Sequence, residues 1–261
     1  MKVWEFQNYL RGLTNSLGAE EGIMFGDATA EVRIIQVSWM GDVAAAKNAL
    51  RIGADLMLVH EAPFFPYPGI RSGTPPTDCL SWAPNRERIR LYTEGRMAVL
   101  RLHSALDKLC IHDDFARALG LGKPVVDEGG FIRIYAIEPT PLGEMIDRVK
   151  QRLLLDSVRV SGGEDLSRKV SRIGLPWGGT ALFVNVNYQA ALLRHKPDLF
   201  IAGETDTYGM HFARDAGVPM IETGHEVSEN IGLRNFTERL RRDLPDVRAE
   251  YFENPRPWVV R

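Results

Sequence analysis

Three histidine and carboxylate pairs follow short apolar stretches of the chain. Each stretch is predicted to be a buried strand, and the polar pair comes at or just beyond its carboxyl end. The pairs are His60 with Glu61, His103 with Asp107, and His225 with Glu229. The chain contains six histidines, so half of them stand in this arrangement. Because ligand sites in open α/β sheets lie at the carboxyl ends of strands, the pattern predicts a site built from these pairs.

The pair His225 and Glu229 has the clearest local geometry. The apolar run 218–221 ends in a short turn, after which a periodic apolar pattern indicates a helix that begins close to His225. A spacing of four residues places both side chains on one face of that helix. An imidazole and a carboxylate in this position can hold one divalent cation. The alternative is an ordinary helix start, since the helix dipole favours an acidic first turn.

The segments before the first two pairs predict a parallel sheet. Residues 32–37 form a predicted strand, residues 43–52 a helix capped by Asp42 and ended by Gly53, and residues 55–59 a second, apolar strand. This β-α-β order is typical of a parallel sheet that is buried on both faces. Residues 66–84 are rich in Pro, Gly, Ser and Thr and are predicted to form a surface loop. Residues 97–102 form the next predicted strand, which ends just before His103.

The α/β pattern restarts at residue 131, after a predicted linker at Lys123-Pro124. Further strands are predicted at 131–137, 158–160, 172–175 and 198–202, with helices at 142–154 and 181–194. We therefore expect two α/β domains. The metal-binding domain would contain residues 1–125 and 222–261, and the second domain would contain residues 126–221.

The composition excludes several other classes of protein. The chain has 261 residues, of which 44% are hydrophobic and 25% charged, as in ordinary globular domains. Its formal net charge is −2 and it has no long basic run, which disfavours nucleic acid as the main partner. No apolar stretch approaches the ~20 residues that cross a bilayer, and two cysteines do not make a disulfide framework. We therefore expect a cytoplasmic protein.

A pair of glycines stands in the segment Trp177-Gly178-Gly179-Thr180, just before a predicted helix. Backbone N–H groups at such a position can bind a phosphate. The segment matches neither a Walker loop nor the glycine fingerprint of dinucleotide-binding proteins. A phosphate-binding loop and a plain turn are therefore both open interpretations.

Taken together, these motifs resemble the Nif-three-like (YbgI-like) dinuclear-metal proteins, which are often named GTP cyclohydrolase I type 2 homologues. The resemblance rests on segments spread over almost the whole chain: GADLMLVHEAPFF, RLHSALD, LPWGGTALFV, DLFIAGETDTYGMHFARDAGVPMIETGHEVSENIG and the closing FENP. It implies the Nif-three-like fold, with two α/β domains and two divalent metal ions in a cleft between them. It also implies a homo-oligomer, a toroidal hexamer.

The resemblance further implies a set of ligands. The metal ligands of the family fall on His60, Asp107, His225 and Glu229, and His103 matches a histidine that recurs beside the ligand aspartate. The family usually has a second histidine directly after the first, where this chain has Glu61. Because a carboxylate can also bind metal, the two-ion site is kept, and the metal preference or the occupancy of one position is expected to differ.

Two further polar residues, Glu204 and His211, match family positions near the cleft. They lie in the segment GETDTYGMH. The resemblance implies that they act beside the ligands or in general acid and base catalysis. The alternative for these residues is a surface carboxylate and a histidine on a helix face.

The function implied is a divalent-metal-dependent hydrolase that acts on a nucleotide or another phosphorylated small molecule. A site without thiolate ligands suits Zn, Fe or Mn, and two such ions can activate water and bind a phosphate or carbonyl oxygen. The alternative is a non-enzymatic hexamer that binds or delivers metal or regulates a partner. An open coordination position would favour the enzyme.

Overall fold

The computed structural model describes residues 1–66 and 76–259, which divide into two compact units. The first unit comprises Met1–Cys110 and Leu233–Arg261, and the second comprises Ile111–Gly232. Each unit is an α/β structure with its own sheet, as the sequence predicts. The units divide at 110/111 and 232/233, whereas the sequence analysis placed domain boundaries at 125/126 and 221/222. The division into domains stays a prediction.

The described residues form eleven strands and nine α-helices. The strands are β1 (Gly22–Phe25), β2 (Ile34–Ser38), β3 (Leu56–Val59), β4 (Ala98–Arg101), β5 (Pro124–Asp127), β6 (Arg133–Pro141), β7 (Arg159–Ser161), β8 (Lys169–Gly174), β9 (Leu199–Ala202), β10 (Met220–Glu222) and β11 (Arg248–Phe252). The helices are α1 (Val3–Thr14), α2 (Val43–Ile52), α3 (Ala83–Glu94), α4 (Ser104–Leu106), α5 (His112–Ala118), α6 (Leu142–Leu153), α7 (Val186–Leu193), α8 (Thr207–Asp215) and α9 (His225–Asp243). Short 3-10 helices occur at Cys79–Ser81 and Phe183–Asn185, and a π-helical turn at Asp107–Ile111.

The sheet of the first unit has the strand order β1-β4-β3-β2-β11. Its strands β2, β3, β4 and β11 run parallel, and only β1 pairs antiparallel, with β4. The predicted β-α-β unit is confirmed. Asp42 accepts a hydrogen bond from the backbone N–H of Ala45 at 2.7 Å, and Gly53 ends α2 with a φ of 68°. Every residue of β3 and β4 is buried, so these two strands hold the segments that follow them against a rigid core.

The sheet of the second unit has the strand order β5-β6-β8-β9-β10-β7. Strands β8, β9 and β10 pair parallel, and the other pairings are antiparallel. Its core includes Ile134, Phe200 and Met220. Because β9 and β10 are parallel neighbours, the segments after them start at the same edge of the sheet. One of these segments contains Glu204, and the other leads into α9, which begins at His225 as the sequence predicts.

Some local predictions were wrong. Where a linker is predicted at Lys123-Pro124, β5 begins at Pro124, and this edge strand tolerates proline at its first position. The predicted helix 181–194 is a turn followed by the 3-10 helix and the shorter α7. Residues 67–75 of the predicted surface loop 66–84 lie outside the described residues, and the rest contains the other 3-10 helix and the start of α3.

Among the helices of the described residues, none is both long enough and apolar enough to cross a membrane.

Candidate metal-binding sites

Four polar side chains meet at the carboxyl ends of β3 and β4 in the first unit. His60 and Glu61 follow β3, and His103 follows β4, so the parallel pairing of the two strands brings them together. One donor atom from each of these three residues lies within 4.8 Å of the other two. Asp107 joins them, with its Oδ1 at 3.8 Å from Nε2 of His60. We call these four residues the first-unit cluster.

The ring of His60 is fixed by the backbone. Its Nδ1 lies 3.1 Å from the carbonyl oxygen of Leu102, in the segment that follows β4. A carbonyl oxygen only accepts hydrogen bonds, so Nδ1 carries the proton and donates it. In the neutral ring Nε2 is therefore the nitrogen without a proton, and Nε2 is the atom that faces Asp107. This hydrogen bond to the ring nitrogen that faces away from the ligand position is the usual way of orienting a metal-binding histidine.

Glu21 holds the turn that carries His103, a role that no pattern in the sequence predicts. Its Oε1 accepts hydrogen bonds from the backbone N–H groups of His103 at 2.7 Å and Ala105 at 2.9 Å. The π-helical turn that begins at Asp107 follows directly, and such turns are frequent at functional sites. Glu21 is 82 residues away from His103 in the chain. No local sequence signal could therefore have pointed to this contact.

The second unit contains a separate cluster at the start of α9. Nε2 of His225 lies 3.3 Å from Oε1 of Glu229, one helical turn later, so the predicted geometry of this pair is confirmed. Nδ1 of His225 lies 2.9 Å from Oε2 of Glu204, which follows β9. Because the carboxylate of Glu204 accepts the proton of Nδ1, the neutral ring again presents its Nε2 lone pair to the other carboxylate. We call Glu204, His225 and Glu229 the second-unit cluster.

The glycine pair of the WGGT segment makes room for this cluster. A Cβ at Gly178 would lie well inside van der Waals contact with Oε1 of Glu229, and a Cβ at Gly179 would lie 3.2 Å from Cε1 of His225. Gly178 also has a φ of 52°, which favours glycine. Its backbone N–H donates to Oγ of Ser228 at 2.9 Å. This N–H is therefore used inside the protein, which favours the tight turn over a phosphate-binding loop.

The donor atoms of both clusters fit divalent metal ions. In each cluster a histidine Nε2 faces a carboxylate oxygen, and both atoms carry lone pairs when the ring is neutral. Two lone pairs that face each other repel unless a cation lies between them. This cation is either a proton or a metal ion. Nitrogen and oxygen donors without a thiolate are those of zinc, iron and manganese sites. The residues present could therefore hold a divalent metal ion.

His211 lies on α8 and contributes to a pocket rather than to either cluster. The pocket has a volume of about 540 Å³, and its lining includes Ser161, Gly162, His211 and Arg214. No residue of the second-unit cluster is among the described residues that line it. The assignment of His211 as a catalytic group stays a prediction.

A family profile matches almost the whole chain, and the curated relatives share one name. The profile of the Duf34/NIF3 (NGG1p interacting factor 3) family matches residues 2–257. The "GTP cyclohydrolase 1 type 2 homolog" of Streptococcus pneumoniae is 26% identical over 222 residues, which cover 80% of this chain and 78% of the relative. The protein of the same name from Haemophilus influenzae is 24% identical and covers 88% of each chain.

Solved structures show the same fold. Protein ybgI, whose function is given as unknown, superimposes with a TM-score of 0.80 at 22% identity. The match covers 99% of this chain and 100% of the ybgI chain. The Bacillus cereus protein related to NIF3 gives a TM-score of 0.78 at 14% identity, covering 100% and 99%. Reduced HcgD from Methanocaldococcus jannaschii gives 0.74 at 18% identity, covering 96% and 97%. With the family profile matched over almost its whole length, the chain belongs to the Duf34/NIF3 family.

Proposed function

We propose that this protein is a divalent-metal-dependent hydrolase that acts on a nucleotide or another phosphorylated small molecule. The observation that carries the proposal is the matched orientation of two histidines. His60 and His225 each have Nδ1 engaged by an acceptor, and each presents Nε2 to a carboxylate. This arrangement prepares both rings to bind a cation without a change of tautomer.

The proposed ligands follow from the two clusters and the family resemblance. Two divalent ions would be held by His60, Glu61, His103, Asp107, His225 and Glu229. Zinc, iron or manganese suits these nitrogen and oxygen donors. When bound, such ions lower the pKa of water and polarise a phosphate or carbonyl oxygen.

The side chains of the protein exclude bulk water from the donor atoms and hold the His225 ring in place. His60 is fully buried and Glu229 is 2% exposed, so bulk water is excluded from these two donors. Glu204 differs, since 47% of its side chain is exposed while its Oε2 accepts the Nδ1 proton of His225. Glu204 is therefore placed to hold the His225 ring and to exchange a proton with solvent. His211 remains a proposed acid or base on α8.

A nucleotide substrate is supported by the names of the relatives. The proteins of Streptococcus pneumoniae and Haemophilus influenzae are both called GTP cyclohydrolase 1 type 2 homologs. GTP is therefore the first substrate to test, followed by other nucleoside triphosphates and simple phosphate esters.

The test begins with the metal content. The protein is stripped with a chelator, reconstituted separately with Zn²⁺, Fe²⁺ and Mn²⁺, and analysed for bound metal. We expect about two ions per chain. Each form is then incubated with GTP and with phosphate esters, and loss of substrate and release of formate or phosphate are measured. An Asp107→Ala variant should lose activity, whereas Glu94→Gln, on an exposed part of α3, should keep it.

The outcomes separate the two candidate functions. Metal-dependent turnover that Asp107→Ala abolishes would support the hydrolase. Two bound ions without turnover of any substrate would favour the non-enzymatic metal protein. A protein that binds no divalent ion after reconstitution would refute both.

We further propose that the protein forms a homo-oligomer, a hexamer by resemblance to the family. Light scattering should then give a mass close to six times the 29.3 kDa of the chain. A monomer mass at micromolar concentration would contradict the proposal.

A further inference from the structure

Arg101, the last residue of β4, is a charged side chain in a fully buried position. Its side chain has an exposed fraction of 0%. Its Nε donates to the carbonyl oxygen of His60 at 3.2 Å, and its Nη1 lies 3.2 Å from a carboxylate oxygen of Glu20. Burying a guanidinium costs free energy, and an apolar residue of similar size is often at least as stabilising. A positive charge at this position therefore calls for a functional reason.

The second Nη of Arg101 faces Glu61. Nη2 of Arg101 lies 3.9 Å from Oε2 of Glu61. The other oxygen, Oε1, lies 3.5 Å from Nε2 of His103. The two oxygens of one buried carboxylate therefore face different groups, one the guanidinium of Arg101 and the other Nε2 of His103.

We propose that Arg101 is a positioning residue that makes Glu61 bind a divalent ion through one oxygen only. The planar guanidinium attracts Oε2 and opposes rotation of the carboxylate, which leaves Oε1 for the ion. This inference rests on the proposed function, because it concerns how the same cluster binds metal. It adds a determinant of selectivity that lies outside the ligands.

The expected selectivity follows from coordination chemistry. Ca²⁺ takes six to eight oxygen ligands at about 2.3–2.6 Å and readily accepts both oxygens of one carboxylate. Smaller transition-metal ions bind with fewer ligands and accept nitrogen donors. A Glu61 carboxylate restricted to one oxygen therefore disfavours Ca²⁺ relative to Mn²⁺.

The positive charge of Arg101 has a second effect that must be separated from this one. A cation beside the site repels every divalent ion, so that removing it raises the affinity for Mn²⁺ and Ca²⁺ together. The ratio of the two affinities cancels this shared effect. It reports how Glu61 presents its oxygens.

The experiment measures this ratio on the full-length protein. Chelator-treated wild type, Arg101→Lys and Arg101→Met are titrated with Mn²⁺ and with Ca²⁺ by calorimetry. Lysine keeps the charge but replaces the planar fork by a point charge. We expect both variants to raise the affinity for Ca²⁺ relative to Mn²⁺ by roughly tenfold, the lower end of the effects seen for residues that orient ligands. Glu20→Gln, which changes the other carboxylate beside Arg101, should leave the ratio unchanged.

A second background tests whether the effect passes through Glu61. In Glu61→Ala protein, Arg101→Lys should no longer change the ratio. A ratio that is unchanged by Arg101→Lys in the wild-type background, or that changes equally with and without Glu61, overturns the proposed role. If Arg101→Met does not fold, the lysine variant decides alone. A wild-type protein that binds no divalent ion, Zn²⁺ and Fe²⁺ included, would instead refute the proposed function.

Discussion

The substitution Gly178→Ala tests the geometry of the second-unit cluster directly. Gly178 has a φ of 52°, in the left-handed region that costs an alanine about 1–2 kcal/mol. Its new Cβ would overlap Oε1 of Glu229 and lie 3.3 Å from Nε2 of His225. Glu229 is 2% exposed, so its carboxylate has little space into which it can move. The variant is therefore expected to separate Glu229 from His225.

The size of the effect has two parts. The backbone strain costs about 1–2 kcal/mol, and the overlap costs about 1–3 kcal/mol, as in an overpacked site. Together they destabilise the metal-free protein by about 2–5 kcal/mol. At roughly 2–4 °C per kcal/mol for a chain of this size, Tm falls by about 4–20 °C. The affinity for metal should fall by at least about tenfold, since a carboxylate ligand is displaced.

Gly217→Ala is the matched control within the same unit. Gly217 has a φ of 74°, and nothing lies within 4 Å of the position of its Cβ. It therefore carries the backbone strain without the overlap, and its Tm should fall by only about 2–8 °C. Thermal unfolding of the metal-free proteins measures Tm, and competition titrations with a metal indicator measure the affinity for metal. If the two alanine variants bound metal with the same affinity, the proposed placement of Glu229 at a metal would be refuted.

Substitutions at three other positions test the clusters. Asp107→Ala should remove at least one of the two bound ions in elemental analysis while the circular dichroism spectrum is kept, and retention of both ions would exclude Asp107 as a ligand. Glu204→Ala should weaken metal binding by about 10–100-fold in competition titrations. Glu204→Gln keeps an acceptor oxygen for His225 and should lose less affinity for metal. Equal losses in the two variants would contradict the orienting role of Glu204. Glu21→Ala removes the acceptor of three backbone N–H groups, those of Gly18, His103 and Ala105. It should lower the free energy of unfolding by about 1.5–3 kcal/mol in denaturant unfolding, so an unchanged midpoint would refute its role in holding the turn at His103.

Much of the candidate site could be predicted because it depends on local rules. A histidine directly after an apolar strand lies at a sheet edge whatever else the chain does, which placed His60 and His103 correctly. The spacing of four residues fixed the contact between His225 and Glu229, and the end of the preceding strand indicated where that helix begins. The caps of α2 were equally local, since Asp42 and Gly53 act on their own helix.

The parts that escaped prediction depend on contacts between distant segments. Glu21 reaches the backbone at His103 across 82 residues, and Arg101 reaches Glu61 from the neighbouring strand. Glu21 stands in none of the motifs, and Arg101 opens the segment RLHSALD without any sign of its partner, because an arginine at the end of a strand is ordinary. The two open interpretations of Gly178 had the same origin. Its closeness to Glu229 is visible only when the loop is packed against α9.

Nδ1 of both His60 and His225 is engaged by an acceptor, but the two acceptors are of different kinds. The kind of acceptor decides how each ring can be perturbed. The acceptor for His60 is a backbone carbonyl at Leu102, whose own N–H is bonded to the carbonyl oxygen of Val59 at 2.9 Å. No side-chain substitution removes this acceptor, because it is a main-chain group of the residue that directly follows β4. The acceptor for His225 is the side chain of Glu204, which a single substitution removes. Substitution of Glu204 is therefore expected to change how the His225 ring is held, while the contact that holds the His60 ring stays unchanged.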